Sequence, residues 1–167
     1  MEKGGRITMY KLDYASPIGI IEIAGTEHFI ASVLFAEREE ILNFPTNDTP
    51  QHLLDCSIEL DEYFKGQRKN FSVLYKLEGT MFQTSVWQAL TTVPYGKTAS
   101  YKEIAQQIEN EKAVRAVGMT NSKNVISIIV PCHRVIGQNG KLTGYAGGLW
   151  RKQWLLEHEL KYSFNLD

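Results

Sequence analysis

A run of β-branched residues that stops at a proline constrains this chain more than any other feature. Residues 125–130 read Val-Ile-Ser-Ile-Ile-Val, with strand composition and little alternation, and this predicts a strand buried on both faces. Pro131 follows, and because proline cannot donate to a sheet ladder, regular pairing should end there. The strand would then deliver Cys132 to its end, where the backbone is free to bend into a site.

Cys132 has neighbours that suit a reactive thiol. His133 and Arg134 follow it, and cationic groups favour the thiolate, which is the nucleophilic form of cysteine. An isolated cysteine is more often a small buried apolar residue, and we interpret Cys56 in that way because it lies on the apolar face of a predicted helix. For Cys132, the proline, the polar residues after it and the glycine-rich segment at residues 143–148 favour the reactive interpretation.

Length and composition describe an ordinary globular chain. Its 167 residues, 43% hydrophobic and 22% charged, suffice for one sizeable core or two small ones. No apolar run approaches the roughly 18 residues of a membrane span, and the first residues lack the apolar region of a signal peptide. The two cysteines have no metal-ligand spacing and suit a reducing compartment. We therefore expect a soluble, cytoplasmic protein.

Charge is distributed unevenly along the chain. Residues 1–79 contain 8 Lys and Arg against 13 Asp and Glu, whereas residues 80–167 contain 10 against 6. An acidic half joined to a basic half suggests that only the second half meets a polyanion. Ordinary surface scatter is the alternative, because this positive excess is small for a nucleic-acid-binding protein.

The first half has the pattern of a small antiparallel sheet with a helix. Three segments separated by turn residues predict successive strands: residues 7–14, 19–24 and 29–35. Thr49-Pro50 predicts an N-cap and the first position of a helix that runs to about residue 65. Residues 71–75 predict a further strand, and residues 76–79 a linker.

The second half begins with two helix-start signatures. Thr80 with Gln83, and Ser100 with Glu103, are capping boxes that predict one helix ending before Pro94 and a second one ending near residue 108. A third short helix, over residues 111–120, should follow after a tight connection. Two short helices joined in this way form a helix-turn-helix.

The third helix predicts an inner and an outer face. Ala113, Val114 and Val117 fall on one side, which leaves Lys112 and Arg115 on the other. A surface helix with solvated charges explains this pattern equally well, because helix-turn-helix patterns are common and weakly specific.

The last predicted helix, over residues 149–161, carries a carboxylate on its apolar face. Glu159 lies one turn after Leu155, and burial alone would raise its pKa whereas a histidine partner would lower it. We expect Glu159 to orient His133. Since adjacent residues of an extended chain point to opposite sides, His133 should reach Cys132 only through a bend or a bridging water.

The motif Pro131-Cys132-His133-Arg134-Val135, with collinear matches from Phe82 to Glu159, resembles the O6-alkylguanine-DNA alkyltransferases, also called methylated-DNA:protein-cysteine methyltransferases. The resemblance implies an α/β (α+β) fold in two domains. An N-terminal scaffolding domain of residues 1–79 would hold a small antiparallel sheet and a helix. A mostly helical C-terminal domain of residues 80–167, with the helix-turn-helix, would bind DNA and accept the alkyl group.

The resemblance also implies a chemistry and a site. The function would be DNA repair by stoichiometric transfer of an alkyl group from O6-alkylguanine to Cys132, which inactivates the protein irreversibly and needs no cofactor. His133 would act as a base through a water molecule, Glu159 would orient it, and Asn124 would brace the turn. Arg134 would be structural or would face a phosphate.

The partner implied by the resemblance is double-stranded DNA containing O6-alkylguanine, bound through its minor groove by a monomer associated with the nucleoid. Arg115 would occupy the place of the flipped nucleotide, and Tyr101 would help rotate the target phosphate and donate towards the guanine ring. The backbone at Val135 and Ala146 would read the base edge, and Tyr145 would line the pocket. Ala146 stands where several relatives carry serine, so a contact through a side-chain hydroxyl is absent there. Ser122-Lys123 also departs from some relatives, which leaves the DNA contact before Asn124 open.

Some relatives hold zinc in the N-terminal region, but a structural zinc site needs four ligands, typically with paired cysteines. His28, His52 and Cys56 provide no such set, so we expect no metal.

Three other functions are open. Cys132, His133 and Glu159 could serve a thiol hydrolase, although adjacent Cys and His form a poor dyad. A base-flipping damage sensor commonly has this cysteine replaced, and a transcription regulator would be expected to dimerise.

Overall fold

The computed structural model describes residues 6–164. Its N-terminal half contains an antiparallel meander in the order β1 (Tyr10–Ser16), β2 (Gly19–Gly25) and β3 (Ile30–Phe35). The long helix α1 (Gln51–Phe64) packs against β1 and β2. The predicted apolar face of α1 is buried and comprises Leu53, Cys56, Leu60 and Phe64. The small sheet and its helix are therefore confirmed.

Two details of this half differ from the prediction. Thr49 is not the N-cap of α1, because its hydroxyl accepts a hydrogen bond from the Thr46 N–H at 2.8 Å in the preceding loop, and Pro50 stands directly before the helix. Residues 71–75 do not form a strand. Only Tyr75 bridges to Ile30, and the backbone bonds there run from Ile30 N–H to Leu74 and from Lys76 N–H to Ile30.

The predicted strand over residues 125–130 is also wrong. Ile126 forms a single parallel bridge to Val33, and the chain then turns, with Ile128 in the left-handed region at φ 72°. One edge of the six-residue β3 is shared between this segment and the one around Tyr75, so neither has room to extend as a regular strand. The β-branched residues reflect burial, since Ile126, Ile128 and Val130 are at most 1% exposed. In a short apolar run, the residue pattern cannot distinguish a buried strand from a buried segment of another conformation.

The C-terminal half is mostly helical. Its elements are α2 (Met81–Leu90), β4 (Ala99–Ser100), α3 (Tyr101–Gln107), α4 (Val114–Ser122), β5 (Val135–Ile136) and α5 (Leu149–Ser163). Both capping boxes are formed, with Thr80 and Ser100 as N-caps. Strands β4 and β5 pair in parallel, which ties the start of α3 to the segment after Cys132. A turn of 3-10 helix at Glu111–Ala113 leads into α4, so the predicted pair of short helices is confirmed.

One continuous core joins the two halves, and α2 and α5 pack against the turn that carries Cys132. Val33 of β3 exchanges backbone hydrogen bonds with Val125 and Ser127 at 2.8 and 2.9 Å. Arg151 of α5 donates to the carbonyl of Ile18 in the β1–β2 turn at 2.8 Å. Among the described residues, no helix is long and apolar enough to cross a membrane.

Candidate active site

Cys132 lies in a buried turn. Cys132–Arg134 form a single turn of 3-10 helix after Pro131, and Cys132 is 4% exposed. The Asn121 amide of α4 donates to the Cys132 carbonyl at 3.2 Å and fixes the turn from the helix-turn-helix side. Because the chain bends here, Cys132 and His133 do not adopt the opposed directions of an extended strand.

Asn124 braces the segment that leads into this turn. Its amide nitrogen donates to the carbonyls of Ile126 and Val130, at 3.2 and 2.8 Å, and its amide oxygen accepts from the Ile126 N–H at 3.0 Å. Asn124 is 3% exposed. Three hydrogen bonds from one buried side chain hold the irregular backbone in place where sheet pairing is absent.

His133 and Glu159 form a buried relay. The Nε2 atom of His133 lies 2.6 Å from Oε2 of Glu159, and both side chains are at most 1% exposed. Burial alone would raise the pKa of Glu159, but His133 and Arg134 hold it well below its ordinary value. The carboxylate is therefore ionised and can only accept, which means that Nε2 carries the hydrogen.

The other nitrogen of this ring is the basic one. Burial lowers the pKa of His133, and the attraction of Glu159 only partly offsets this, so the imidazole is neutral at neutral pH. Nδ1 is buried and has no hydrogen-bond partner among residues 6–164. With the hydrogen on Nε2, Nδ1 has a lone pair that can receive a proton.

Arg134 belongs to the protein interior. Its Nε and Nη2 donate to the two oxygens of Glu159 at 2.8 and 3.2 Å, and its Nη1 donates to the carbonyl of Val93 at 2.8 Å. It is 7% exposed. Of the two roles expected for Arg134, the structural one fits this geometry, whereas a phosphate-facing role is wrong because the guanidinium is buried and already paired.

The thiol itself differs from the expectation. Burial raises the pKa of Cys132, and the nearby Asn124 amide and Lys152 ammonium oppose this only in part. Arg134 directs its charge to Glu159 and His133 is neutral, so the two cationic neighbours expected from the sequence do not stabilise the thiolate. The resting form is therefore the thiol, and deprotonation has to accompany the reaction.

Lys152 is a site residue that the sequence analysis missed. It lies in α5 with no exposed surface, and its ammonium donates to the carbonyls of Val135 and Thr143 at 2.5 and 2.7 Å. Burial lowers its pKa to about 8, while Cys132 acts in the opposite direction. The seven-residue spacing from Lys152 to Glu159 puts both on one helix face and could have indicated it.

The glycine-rich segment is joined to the chain after the turn through Lys152, which donates to the carbonyls of both Thr143 and Val135. Tyr145 is 8% exposed, and its buried hydroxyl has no hydrogen-bond partner in the part of the chain that the structure describes. Ala146 is exposed, and Arg151 anchors the segment by donating to the Gly147 carbonyl at 2.9 Å. Gly148 adopts φ 94°, a conformation that side chains disfavour. A buried polar tyrosine beside an exposed backbone suits the recognition of a polar ring.

Tyr101 and Val135 flank this segment. The Tyr101 hydroxyl donates to the Thr143 carbonyl at 3.0 Å, which joins the first residue of α3 to the glycine-rich segment. Val135 is buried, and its N–H donates to the Cys132 carbonyl while its own carbonyl accepts from Lys152. Both residues therefore lie against the elements that surround Cys132.

Arg115 points outwards from α4. Arg115, Lys112 and Met119 are exposed, whereas Val117 is fully buried. Val114, the first residue of α4, is 37% exposed, so its predicted inward position is wrong. Arg115 forms no ion pair with any described residue and is available to an external partner.

The described residues contain no group of three or more His, Cys, Asp or Glu side chains that could hold a metal ion.

Tyr63 of α1 is, after Lys152, a second site residue that the sequence analysis missed. Its hydroxyl donates to Oε2 of Glu159 at 2.6 Å. No periodic pattern connects residues from opposite halves of a chain, so this contact could not be inferred from spacing.

Comparison with known proteins places both halves in one family. Residues 81–161 match the family model described as the DNA-binding domain of 6-O-methylguanine DNA methyltransferase, and residues 9–76 match its ribonuclease-like domain. The methylated-DNA–protein-cysteine methyltransferase of Methanosarcina acetivorans is 48% identical over 153 residues, covering 90% of this chain and 98% of the relative.

Solved structures agree with this assignment. The crystal structure of the Mycobacterium tuberculosis O6-methylguanine methyltransferase has a TM-score of 0.81 and 43% identity, with 93% of this chain and 94% of that one covered. The same protein in complex with DNA has a TM-score of 0.80 and 44% identity, with coverages of 92% and 93%. By its sequence and its two-domain fold, the chain belongs to the 6-O-methylguanine DNA methyltransferase family.

Proposed function

We propose that this protein repairs DNA by transferring an alkyl group from O6 of a modified guanine to the Cys132 sulfur, once per molecule. The observation that carries the proposal is the buried turn that puts Cys132 beside a neutral His133 held by Glu159. In this family, a cysteine in such a setting is the expected acceptor. Residues 1–79 serve as a scaffold, and residues 80–167 bind DNA and accept the alkyl group.

The chemistry is a direct displacement at carbon. A water molecule passes the Cys132 proton to Nδ1 of His133, and the sulfur attacks the alkyl carbon. The C–O6 bond breaks and its electrons stay on the guanine. The proton taken from Cys132 is given up by His133 through water to the guanine, which therefore leaves as a neutral base. Glu159 keeps the hydrogen of His133 on Nε2, so that Nδ1 is the proton acceptor. Lys152 lowers the free energy of the thiolate as it forms.

The target carbon lies inside a duplex, so the base has to leave the stack. Flipping costs a few kcal/mol, and the cost is lower for a damaged, poorly paired base. The helix-turn-helix approaches the minor groove, and Arg115 takes the place of the extruded nucleotide. Its exposure supports this role, as does the absence of an ion pair between Arg115 and any residue in the range 6–164.

Four further residues receive the flipped base. Tyr145 lines the pocket, and the backbone of Val135 and Ala146 reads the guanine edge and O6. Tyr101 helps rotate the target phosphate and donates towards the ring, a role that requires its bond to Thr143 to exchange for one to the DNA. The protein acts on DNA as a monomer.

One transfer per molecule follows from the product. A thioether has no good leaving group, and among residues 6–164 no second cysteine lies in the turn that carries Cys132. The thiol hydrolase fits less well, because adjacent Cys and His form a poor dyad and a hydrolase would leave the helix-turn-helix unexplained. A base-flipping damage sensor commonly has this cysteine replaced, so the presence of Cys132 argues against that function. A transcription regulator would not require a buried thiol beside His133 and Glu159.

The proposal is tested by counting turnovers. A duplex containing O6-methylguanine is incubated in excess with the protein, and the nucleosides are then separated by chromatography. We expect one O6-methylguanine to be converted to guanine per protein molecule, with no further conversion on longer incubation. Cys56→Ser should behave like wild type, and Cys132→Ser should convert none. Many conversions per molecule, or none in wild type, would contradict the proposal.

A further inference from the structure

Tyr63 links the N-terminal half directly to the relay of His133 and Glu159. Its hydroxyl donates to Oε2 of Glu159 at 2.6 Å across 96 residues of sequence. The same oxygen accepts from Nε2 of His133, also at 2.6 Å. Tyr63 is fully buried. The phenol and the imidazole therefore share one carboxylate oxygen in an environment that water does not screen.

The remaining contacts of Glu159 show what Tyr63 adds. Oε1 accepts from Nε of Arg134 at 2.8 Å and from the Gly96 N–H at 3.3 Å, and Nη2 of Arg134 reaches Oε2 at 3.2 Å. All of these donors belong to the C-terminal half. Tyr63 is the donor to this carboxylate that comes from α1, and it approaches on the oxygen that faces His133.

Packing alone does not require the hydroxyl. The Tyr63 ring contacts the rings of Phe64, Phe71, Tyr95 and His158 at centroid distances of 5.3 to 6.1 Å. A phenylalanine would make the same ring contacts. Among the residues that the structure describes, Glu159 is the one hydrogen-bond partner of the Tyr63 hydroxyl. The hydroxyl is therefore the part of Tyr63 that acts on the relay.

We propose that Tyr63 is a positioning residue through which the N-terminal half sets the basicity of His133, in addition to packing as a scaffold. This inference rests on the proposed alkyl transfer. By accepting a strong hydrogen bond from Tyr63, Glu159 presents less negative charge to His133. The imidazolium is then less stabilised, the imidazole stays neutral, and Nδ1 remains able to take the Cys132 proton.

The direction of the effect of Tyr63→Phe follows from this charge balance. Without the phenol, more negative charge faces His133, and the pKa of the imidazole rises. Other groups facing the relay are unchanged in the variant, namely Arg134, Lys152, Tyr95 and His158. Since transfer needs neutral His133, the acid limb of its pH–rate profile should move to higher pH.

The experiment compares full-length wild type, Tyr63→Phe and Tyr14→Phe in single-turnover methyl transfer from an O6-methylguanine duplex between about pH 5 and about pH 9. Tyr14 is the matched control, because its hydroxyl also donates to a carboxylate of α1, Asp61, at 3.1 Å, but away from the relay. We expect the acid limb to shift upwards by about half a pH unit or more in Tyr63→Phe and not in Tyr14→Phe.

The outcomes separate this inference from the proposed function. If wild type transfers methyl groups and the three profiles superimpose, the role of Tyr63 is wrong while the function stands. If wild type transfers none, the proposed function fails first. Circular dichroism confirms that each variant is folded at the assay temperature.

A second measurement keeps the inference testable if Tyr63→Phe does not fold. NMR of wild type with ¹⁵N-labelled histidine reports the tautomer of His133, and we expect hydrogen on Nε2 and a neutral ring at neutral pH. Hydrogen on Nδ1, or an imidazolium at neutral pH, would overturn the inference.

Discussion

His133 and Glu159 are joined by a 2.6 Å hydrogen bond in the protein interior although 26 residues separate them in sequence. The turn after Pro131 supplies the imidazole and α5 supplies the carboxylate. Because Glu159 is ionised, the hydrogen of His133 is fixed on Nε2, and the basic nitrogen is left for the thiol side. The relay therefore forms only where these two distant elements meet.

Glu159→Gln should reduce both activity and stability. The transfer rate should fall by about 10²-fold or more, because an amide cannot hold the same tautomer of His133 or stabilise its protonated form. Arg134 would be left as a buried cation without its partner, which costs about 3–5 kcal/mol of unfolding free energy. Single-turnover kinetics and urea unfolding measure the two effects, and Glu157→Gln, at an exposed position of the same helix, is the control.

The stability lost in Glu159→Gln should depend on pH. The folded pKa of Glu159 lies below its ordinary value, so its ionised form stabilises the protein fully above the unfolded pKa of about 4.3. That stabilisation is lost as pH falls from there towards the folded pKa. The difference between wild type and variant should therefore stay constant above about pH 5 and shrink between about pH 5 and about pH 3. A difference that grew on acidification would contradict the ionised state of Glu159.

Lys152→Met should slow the reaction of Cys132 and alter alkaline stability. Removing the ammonium takes away a charge that favours the thiolate, so alkylation of Cys132 by iodoacetamide should be several-fold slower at about pH 8. The folded pKa of Lys152, about 8, lies below the ordinary value of 10.5. The unfolded state thus binds more protons between these two values, and the stability of wild type relative to the variant should rise with pH there.

The control for this prediction is Lys161→Met, which removes an exposed cation from the same helix. It should leave the alkylation rate of Cys132 and the slope of stability against pH unchanged. Equal behaviour of the two lysine variants would show that the charge of Lys152 does not act on the thiol.

Arg115→Ala should impair base flipping more than chemistry. Transfer from a duplex should fall by about tenfold or more, because alanine cannot fill the space that the flipped nucleotide leaves in the duplex. The free-energy cost of that gap is comparable with the cost of unstacking a base. Transfer from a single-stranded oligonucleotide carrying the same base should fall much less, because that base is already unpaired. Lys102→Ala, an exposed lysine on α3, is the control. Equal losses on both substrates would argue against the role of Arg115.

Local signals predicted the helical framework well. The capping boxes at Thr80 and Ser100 determine where α2 and α3 begin, because side chains within three residues satisfy the helix N-termini. The family motif around Cys132 predicted His133 and Glu159 as a pair, and the structure brings them into contact. These features depend on residues close in sequence or on a recognisable motif.

What the sequence could not reveal depends on tertiary contacts. Residues 125–130 have strand composition, yet the shared edge of β3 leaves room for one bridge only, and Asn124 replaces sheet pairing with side-chain hydrogen bonds. The pKa of Cys132 is raised because the thiol is buried. The neighbouring His133 and Arg134 in the sequence do not indicate how deeply the thiol lies. The contacts of Tyr63 and Lys152 join distant elements, so no local pattern predicts them.

Intact-mass spectrometry of the protein before and after mixing with a duplex containing O6-methylguanine tests the central claim most directly. The account predicts that each chain gains one methyl group in place of one hydrogen, that peptide fragmentation assigns it to Cys132, and that Cys132→Ala gains nothing. An unchanged mass despite binding to the lesion, or a methyl group found on Cys56 or elsewhere, would contradict alkyl transfer to Cys132.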